Sequence, residues 1–131
     1  MAHYSVHFTI SEARATLPDL RRRLNRIRDL LAEIRARESV EGMEQTIIMR
    51  GNGKGPILSG SGAHKQEAQR LVEEIADQGI QIKDLERGLV DFPHFLQSDP
   101  DHEVFLCWHL GEDTIEFWHE IEAGIAGRRP L

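Results

Sequence analysis

The chain has 131 residues, 40% of them hydrophobic and 29% charged, values typical of one soluble globular domain with a single core. Its formal net charge of −6 argues against nonspecific nucleic-acid binding, and its single cysteine excludes an internal disulfide or a cysteine-rich zinc site. No apolar run approaches the roughly 20 residues of a membrane span, and the N-terminus lacks the pattern of a secretory signal, so we expect a cytoplasmic protein outside the membrane.

The first predicted helix begins near Ile10. Thr9 and Glu12 have the spacing of a capping box, in which each side chain accepts a hydrogen bond from the other residue's backbone N–H. Pro18 lacks an N–H and clashes with the preceding turn of a helix. We therefore predict a short helix that ends near Thr16, followed by a kink or a restart.

An apolar seam follows the proline at steps of four, three, four and three residues. It consists of Leu20, Leu24, Ile27, Leu31 and Ile34. A seam with this period needs an apolar partner, which is either another helix of the same chain or a second copy of it.

Four arginines spaced seven residues apart form a second stripe on the same predicted helix. They are Arg14, Arg21, Arg28 and Arg35. The stripe fits either a solvated face that pairs with acidic neighbours or a surface that binds nucleic acid or an acidic partner.

A second helix is predicted over residues 63–78, because its apolar residues lie on one face and Gly79 is a natural stop. The glycine-rich segment 51–62 predicts a loop between the two helices, and the extent of helix between Val40 and Arg50 stays open. Antiparallel pairing would bury both apolar faces. We therefore predict a long antiparallel helical hairpin over residues 10–78.

After Gly79 the apolar period changes to that of strands. Ile80 and Ile82 alternate with polar residues, and residues 89–92 form a second extended piece that Pro93 would confine to an edge or end of a sheet. Residues 103–109 are the best strand, with two apolar faces, as in a covered central strand.

Beyond this strand, residues from Asp113 onward predict a C-terminal helix, with Asp113 as its N-cap. The sequence therefore predicts one α+β domain over residues 1–131. It comprises the helical hairpin 10–78 and, within residues 80–131, a small antiparallel β-sheet followed by the C-terminal helix.

Several motifs are spread along nearly the whole chain. They are Phe8-Thr9-x-x-Glu12-Ala13 with Leu17-Pro18, then Lys83 to Pro93 (KDLERGLVDFP), Leu106-Cys107-Trp108-x-x-Gly111-Glu112, Trp118-His119, and Gly124-x-x-Gly127-Arg128. Together these motifs resemble a bacterial family known as domain of unknown function 2203. The resemblance implies a small cytoplasmic bacterial protein, and it implies no activity and no catalytic residues.

The strongest candidate for chemistry is a mononuclear metal site. On a helix, Glu116 and His119 would share one face, and His109, Asp91 or Glu86 would approach from the strands. Imidazole and carboxylate ligands suit a divalent zinc, iron or manganese ion. The alternative is a solvated acidic face in which His119 only orients the helix.

Two further groups of residues invite a function. Cys107 and His109 share a strand face, but the interior of a strand is a poor place for an accessible thiolate nucleophile. Arg128 and Arg129 have the bidentate geometry that binds anions, unless they pair with neighbouring carboxylates.

The sequence thus predicts a small interaction or scaffold protein that forms a homo-oligomer through its helices. The first alternative is a metal-binding protein or metal-dependent enzyme that uses the site above. The second is binding of nucleic acid or an acidic partner through the arginine stripe. A tryptophan at the surface would favour an interface, whereas buried Trp108 and Trp118 would belong to the core.

Overall fold

A computed structural model of the protein describes residues 2–41, 47–50, 54–58 and 62–131. Helix α1 (Ile10–Glu41) is followed by a two-stranded antiparallel sheet of β1 (Ile47–Ile48) and β2 (Ile57–Leu58), and then by helix α2 (Ala63–Ala76). A five-stranded antiparallel sheet completes the chain. Its strands, in spatial order, are β3 (Gln81–Asp84), β4 (Leu89–Phe95), β5 (Glu103–His109), β6 (Phe117–Glu120) and β7 (Arg129–Pro130), with a 3-10 turn at Ile125–Gly127.

Helix α1 begins as predicted but does not break at its proline. The Thr9 N–H donates to Glu12 at 2.8 Å and the Glu12 N–H donates to Thr9 Oγ1 at 3.0 Å, which confirms the capping box. Pro18 lies inside one continuous helix, so the predicted break is wrong. Pro18 faces water, while Leu17 and Leu20 on either side of it are buried. Their packing outweighs the roughly 3 kcal/mol that an interior proline costs.

The apolar seam of α1 is buried inside the protomer. All five of its side chains are at most 4% exposed, and all but Ile34 join one core cluster with residues of α2 and of the five-stranded sheet. The α2 contribution comes from Ala68, Val72 and Ile75, and the sheet contribution includes Phe92 and Trp108. The partner that the seam requires is therefore supplied by the same chain.

The two helices pack against each other, but they do not form the long hairpin that the sequence predicts. Helix α2 has 14 residues against 32 in α1, and the small β1–β2 sheet lies between them in the chain. Ion pairs from Arg26 to Glu67 and from Arg23 to Glu74 show that the helices run antiparallel. Residues of the sheet, such as Phe92 and Trp108, lie in the same core cluster as the seam and α2. Parts of the predicted loop (51–53 and 59–61) and residues 42–46 lie outside the described residues.

Strand β4 is longer than predicted and lies between β3 and β5, although it contains Pro93. The Pro93 carbonyl accepts a hydrogen bond from the Phe8 N–H at 2.8 Å. Because the nitrogen and carbonyl of one strand residue point to the same side, the missing N–H of Pro93 also faces Phe8 and not β5. The pairing of β4 with β5 therefore continues past the proline to Phe95.

The predicted C-terminal helix is wrong. Residues 117–120 form strand β6, which pairs with β5, and a short 3-10 turn leads into β7. Aromatic residues at positions 117 and 118 suit a strand, and the exposed edge of β5 needs hydrogen-bond partners. The described helices include none that is both long and apolar enough to span a membrane.

Truncation of the seam should destabilise the protomer itself. Leu24 is 1% exposed, so we expect Leu24→Ala to lower the free energy of unfolding by about 2 to 5 kcal/mol, measured by urea denaturation. The control, Leu131→Ala, removes a side chain that is 47% exposed and should change stability by less than about 0.5 kcal/mol. Equal effects of the two changes, or a midpoint that rises with protein concentration, would contradict an internal seam.

Candidate metal site on the outer face of the sheet

The strand register places several polar residues on one face of the five-stranded sheet. Asp91 is opposite Cys107, and His119 is opposite Phe105 on the next strand. The alternate residues of the same strands, such as Leu106, belong to the core with the helices. Because side chains alternate along a strand, the polar set points away from the helices. We call this side the outer face.

Three side chains converge at the centre of the outer face. One Asp91 carboxylate oxygen, Cys107 Sγ and one His119 ring nitrogen all lie within 4.8 Å of one another. The three residues are only 3%, 1% and 1% exposed. A carboxylate, a thiol and an imidazole buried together form a donor set that can hold a metal ion.

The His119 ring is held at both of its nitrogens. Nε2 lies 3.0 Å from Asp91 Oδ1, and Nδ1 donates to the Glu120 carbonyl oxygen at 2.6 Å. Burial lowers the pKa of His119, but the hydrogen bonds to Asp91 and to the Glu120 carbonyl outweigh burial, so its pKa is raised above the ordinary value. The cluster thus stabilises a proton on Nε2, between the imidazole and the carboxylate.

Cys107 is a thiol with little tendency to ionise. Burial raises its pKa to about 12, and the negative charge of Asp91 acts in the same direction. Arg128, whose Nε lies 3.4 Å from Sγ, opposes this effect without cancelling it. At neutral pH the side chain therefore stays protonated, which argues against the nucleophilic role considered for Cys107 with His109.

Arg128 closes one side of the cluster. Its guanidinium donates to both carboxylate oxygens of Glu112, at 2.9 and 2.5 Å, and to the Cys107 carbonyl at 3.1 Å. It also lies 4.5 Å from the centre of the Phe117 ring. Of the two arginines predicted to bind an anion, Arg128 is thus engaged with Glu112, and Arg129 lies over Trp118 at 5.2 Å.

The structure separates most of the metal ligands that the sequence predicts. Of those five residues, only Asp91 and His119 come together. Glu116 is exposed and lies just before β6, so the helical face that it would share with His119 does not exist. His109 binds the Leu110 carbonyl at 2.8 Å, and Glu86 pairs with Arg35 at the surface.

Cys107 is the member of the cluster that the predicted metal site does not include. Alternation along residues 103–109 places Cys107 on the face of Phe105 and His109, but it does not reveal which side of the neighbouring strands meets that face. A register between residues 89–95 and 103–109 would have paired Cys107 with Asp91. The sequence does not fix this register, because residues 96–102 form a longer connection than the two-residue turn of a tight hairpin.

An N-terminal segment lies over the outer face beside the cluster. The Glu103 carboxylate accepts hydrogen bonds from the backbone N–H groups of His3 at 2.7 Å and Tyr4 at 3.1 Å, and it contacts His7 Nε2 at 2.6 Å. The Tyr4 ring packs against Phe105 at 5.2 Å. Burial, together with the charges of Glu103 and Asp91, raises the pKa of the Tyr4 phenol.

The arginine stripe of α1 is largely used within the chain. Arg14 donates to the Ile115 carbonyl at 2.8 Å, Arg21 donates to the carbonyls of residues 112 and 113, and Arg35 pairs with Glu86. Arg28 is exposed. Three of the four side chains therefore fix the segment before β6 or the β3–β4 turn.

The N-terminal cover should give the protein a pH-dependent stability. Burial raises the pKa of Glu103, but hydrogen bonds from the His3 N–H, from His7 and from the Tyr4 N–H outweigh it, so the pKa is lowered. A depressed pKa means that ionised Glu103 stabilises the fold above its unfolded pKa, and this contribution is lost as pH falls through the folded pKa.

We expect Glu103→Gln to lower the free energy of unfolding at neutral pH by about 1 to 3 kcal/mol, with a smaller difference from the wild type in acid. Thermal unfolding between neutral pH and pH values below the ordinary carboxyl pKa measures both effects. Glu122→Gln removes an exposed carboxylate and is the control. A Glu103→Gln penalty that is the same at every pH would contradict this role.

Comparison with known proteins identifies a family but no function. A family model described as "Uncharacterized conserved protein (DUF2203)" matches residues 7–131. No curated protein and no solved structure matches the chain. The match extends from His7 to the last residue, and so includes all three converging side chains. The chain belongs to the DUF2203 family of uncharacterised conserved proteins.

Proposed function

We propose that the protein binds one divalent transition-metal ion through Asp91, Cys107 and His119, with zinc as the best fit. The observation that carries the proposal is the convergence of three buried ligand atoms of different residues within 4.8 Å. A thiolate combined with an imidazole and a carboxylate favours zinc or iron over magnesium or calcium. The sulfur ligand also ranks zinc ahead of the manganese ion considered from the sequence.

The distances require only a small adjustment. Zinc bonds to nitrogen, oxygen and sulfur are about 2.0 to 2.3 Å long, so tetrahedral ligand atoms stand roughly 3.3 to 3.7 Å apart. The three atoms lie within 4.8 Å of one another, and they would close by up to about 1 Å around an ion. Changes of side-chain torsion supply such a movement without a shift of the strands.

His119 is already oriented as a metal-binding histidine would be. Its Nδ1 donates to the Glu120 carbonyl, so Nε2 is the nitrogen directed at Asp91 and Cys107. Metal-binding imidazoles usually donate their second N–H to a carbonyl or carboxylate, which fixes the ring. An ion would therefore take the place of the proton between Nε2 and Asp91.

Charge also supports an ion at this position. Binding would displace one proton from His119 Nε2 and one from Cys107 Sγ, because ligands bind metals in their deprotonated forms. Asp91 and the Cys107 thiolate would then balance the two charges of the ion. Arg128, at 3.4 Å from Sγ, stabilises the thiolate form.

Three protein ligands leave the fourth position of a tetrahedral ion open. Closed four-ligand sets are typical of structural zinc sites, whereas three ligands and one open position are typical of catalytic ones. A metal-dependent enzyme therefore fits this site better than a structural zinc protein. A reducing compartment such as the cytoplasm would keep the Cys107 ligand unoxidised.

The other functions predicted from the sequence have less support from the geometry. Self-association through the long helix would need a second apolar stripe, because the seam that suggested it packs within the protomer. Binding of nucleic acid by the arginine stripe would need guanidinium groups that are otherwise engaged by backbone carbonyls and Glu86.

The test is metal binding by purified protein and three ligand variants. We expect elemental analysis to find one zinc ion per chain, and competition with a chelating dye to show an affinity loss of at least about 100-fold for Asp91→Asn, Cys107→Ala and His119→Gln. With cobalt in place of zinc, the wild type should show a sulfur-to-metal charge-transfer band that Cys107→Ala lacks.

The matched control is Glu116→Gln, which changes the ligand predicted from the sequence but exposed in the structure. It should bind metal as the wild type does. Circular dichroism establishes that each variant is folded. Wild-type affinity in Cys107→Ala, or an equal loss in Glu116→Gln, would show that the ion is not held by these three side chains.

Metal binding should strengthen as pH rises. The raised pKa values of His119 and Cys107 mean that protons compete with the ion at neutral pH. Calorimetric titration in buffers of different ionisation enthalpy should therefore detect proton release of between one and two protons per ion. Metal binding without any proton release would place the ion at other ligands.

A further inference from the structure

A cleft of about 610 Å³ lies beside the proposed metal site, along the edge strand β3. The N-terminal segment, Met49 and Arg50, and the end of α2 form its other walls. The cleft is large enough for a small organic molecule, since ligand pockets usually measure a few hundred cubic ångströms or more.

The cleft and the three converging side chains are neighbours. Tyr4 and Lys83 line the cleft, and both also contact Phe105: the Tyr4 ring centre lies 5.2 Å from that of Phe105, and Lys83 Nζ lies 4.9 Å from it. Phe105 in turn meets the His119 ring at 5.6 Å. Gln81, which also lines the cleft, pairs with Asp91 across β3 and β4. The Phe105 ring therefore lies between the cleft and His119, and the spacing between β3 and β4 separates the cleft from Asp91.

Lys83 supplies a positive charge in this cleft, beside Phe105. It is exposed, lies over the face of the Phe105 ring, and forms no ion pair with a carboxylate in the described part of the chain. The other basic residue of the cleft, Arg50, donates to the carbonyls of Gly55 and Lys54 and lies 3.6 Å from Glu73. Lys83 is thus the cation best placed to bind an anionic group.

The cleft also has an apolar surface. Val6 is 43% exposed and Met49 is 52% exposed, and these two belong to the four large hydrophobic side chains that are most exposed in the described chain. Both line the cleft together with Ile82. Exposed apolar side chains that converge on a concave surface indicate a binding site for an organic group.

We propose that this cleft binds a small organic carboxylate, with its charged group on Lys83 and its carbon skeleton against Val6 and Met49. The proposal deepens the proposed function and rests on it in one respect, because the bound carboxylate would lie one aromatic ring, that of Phe105, away from the ligands of the metal ion. A carboxylate fits better than a phosphate, since phosphate sites use several backbone N–H groups or clustered arginines. In this cleft Arg50 is engaged by Gly55, Lys54 and Glu73, which leaves one lysine, Lys83, to bind the anion.

Titration of isotope-labelled protein followed by NMR tests the proposal. The probes are acetate, succinate, benzoate and inorganic phosphate, each added to the protein with and without one equivalent of zinc. We expect amide shifts in residues 79–83 and at Tyr4 with at least one of the three carboxylates, and the dissociation constant should rise about tenfold in Lys83→Gln. The control, Arg28→Gln, removes the same charge from an exposed position of α1 on the other side of the sheet and should bind like the wild type.

The outcomes separate this proposal from the metal site. Zinc binding without a shift from any carboxylate overturns the cleft proposal and leaves the metal site standing. Carboxylate binding that depends on Lys83 in a protein that binds no zinc supports the cleft and overturns the metal site. Tighter binding of phosphate than of every carboxylate, or equal affinity in Lys83→Gln and Arg28→Gln, overturns the carboxylate assignment.

Discussion

The packing of the α1 seam against the inner face of the five-stranded sheet is the constraint on which the rest of the structure depends. Leu24, Ile27 and Leu31 lie in one core with Phe92 and Trp108. Once α1 covers one face, every second residue of β4, β5 and β6 must lie on the other. The position of the polar cluster on the outer face is therefore a consequence of how the apolar residues of the same strands are buried.

The outer face is unusual because it buries polar groups without a covering layer of helices. Asp91 and His119 are almost fully enclosed, and a buried charge is costly unless it is paired and hydrogen-bonded. Here Asp91 and His119 pair with each other, and the Glu120 carbonyl accepts a hydrogen bond from His119. Arg128 contacts the sulfur of Cys107. Apolar side chains of similar size would stabilise the fold at least as well as the pair of Asp91 and His119, since buried ion pairs are weak stabilisers. This comparison favours a functional explanation for the cluster.

The parts of the fold that depend on local sequence could be predicted. The capping box at Thr9, the seam of α1 and the strand at residues 103–109 each follow from neighbouring residues alone. The C-terminal helix could not be predicted correctly, because residues 117–120 suit a strand only when the edge of β5 is available to pair with them. The helix break predicted at Pro18 is wrong for a related reason. Leu17 and Leu20, on either side of the proline, are buried by residues that are distant in the sequence, and local patterns do not show such contacts.

In the candidate site, too, local sequence patterns reveal some residues, while others depend on tertiary contacts. Asp91 and His119 could be named from the sequence as polar residues among apolar ones, but their third partner depends on strand register, which local patterns leave undetermined. Glu116 belongs to the predicted site only if the residues after Asp113 form a helix. Cys107 is buried, as the interior of a strand suggests, but the sequence does not show that its buried neighbours are a carboxylate and an imidazole.

The way in which Glu103 holds the N-terminal segment has a consequence for folding. Its carboxylate binds the backbone of residues about 100 positions earlier in the chain, so this contact closes one of the longest loops that the protein contains. Long-range closure of this kind is entropically costly before the intervening sheet exists. The cover should therefore form after β4, β5 and β6 have paired, and it should be among the first parts to open locally. During synthesis and in brief openings of the folded chain, the three converging side chains would then be reachable from solvent, although the complete fold buries them.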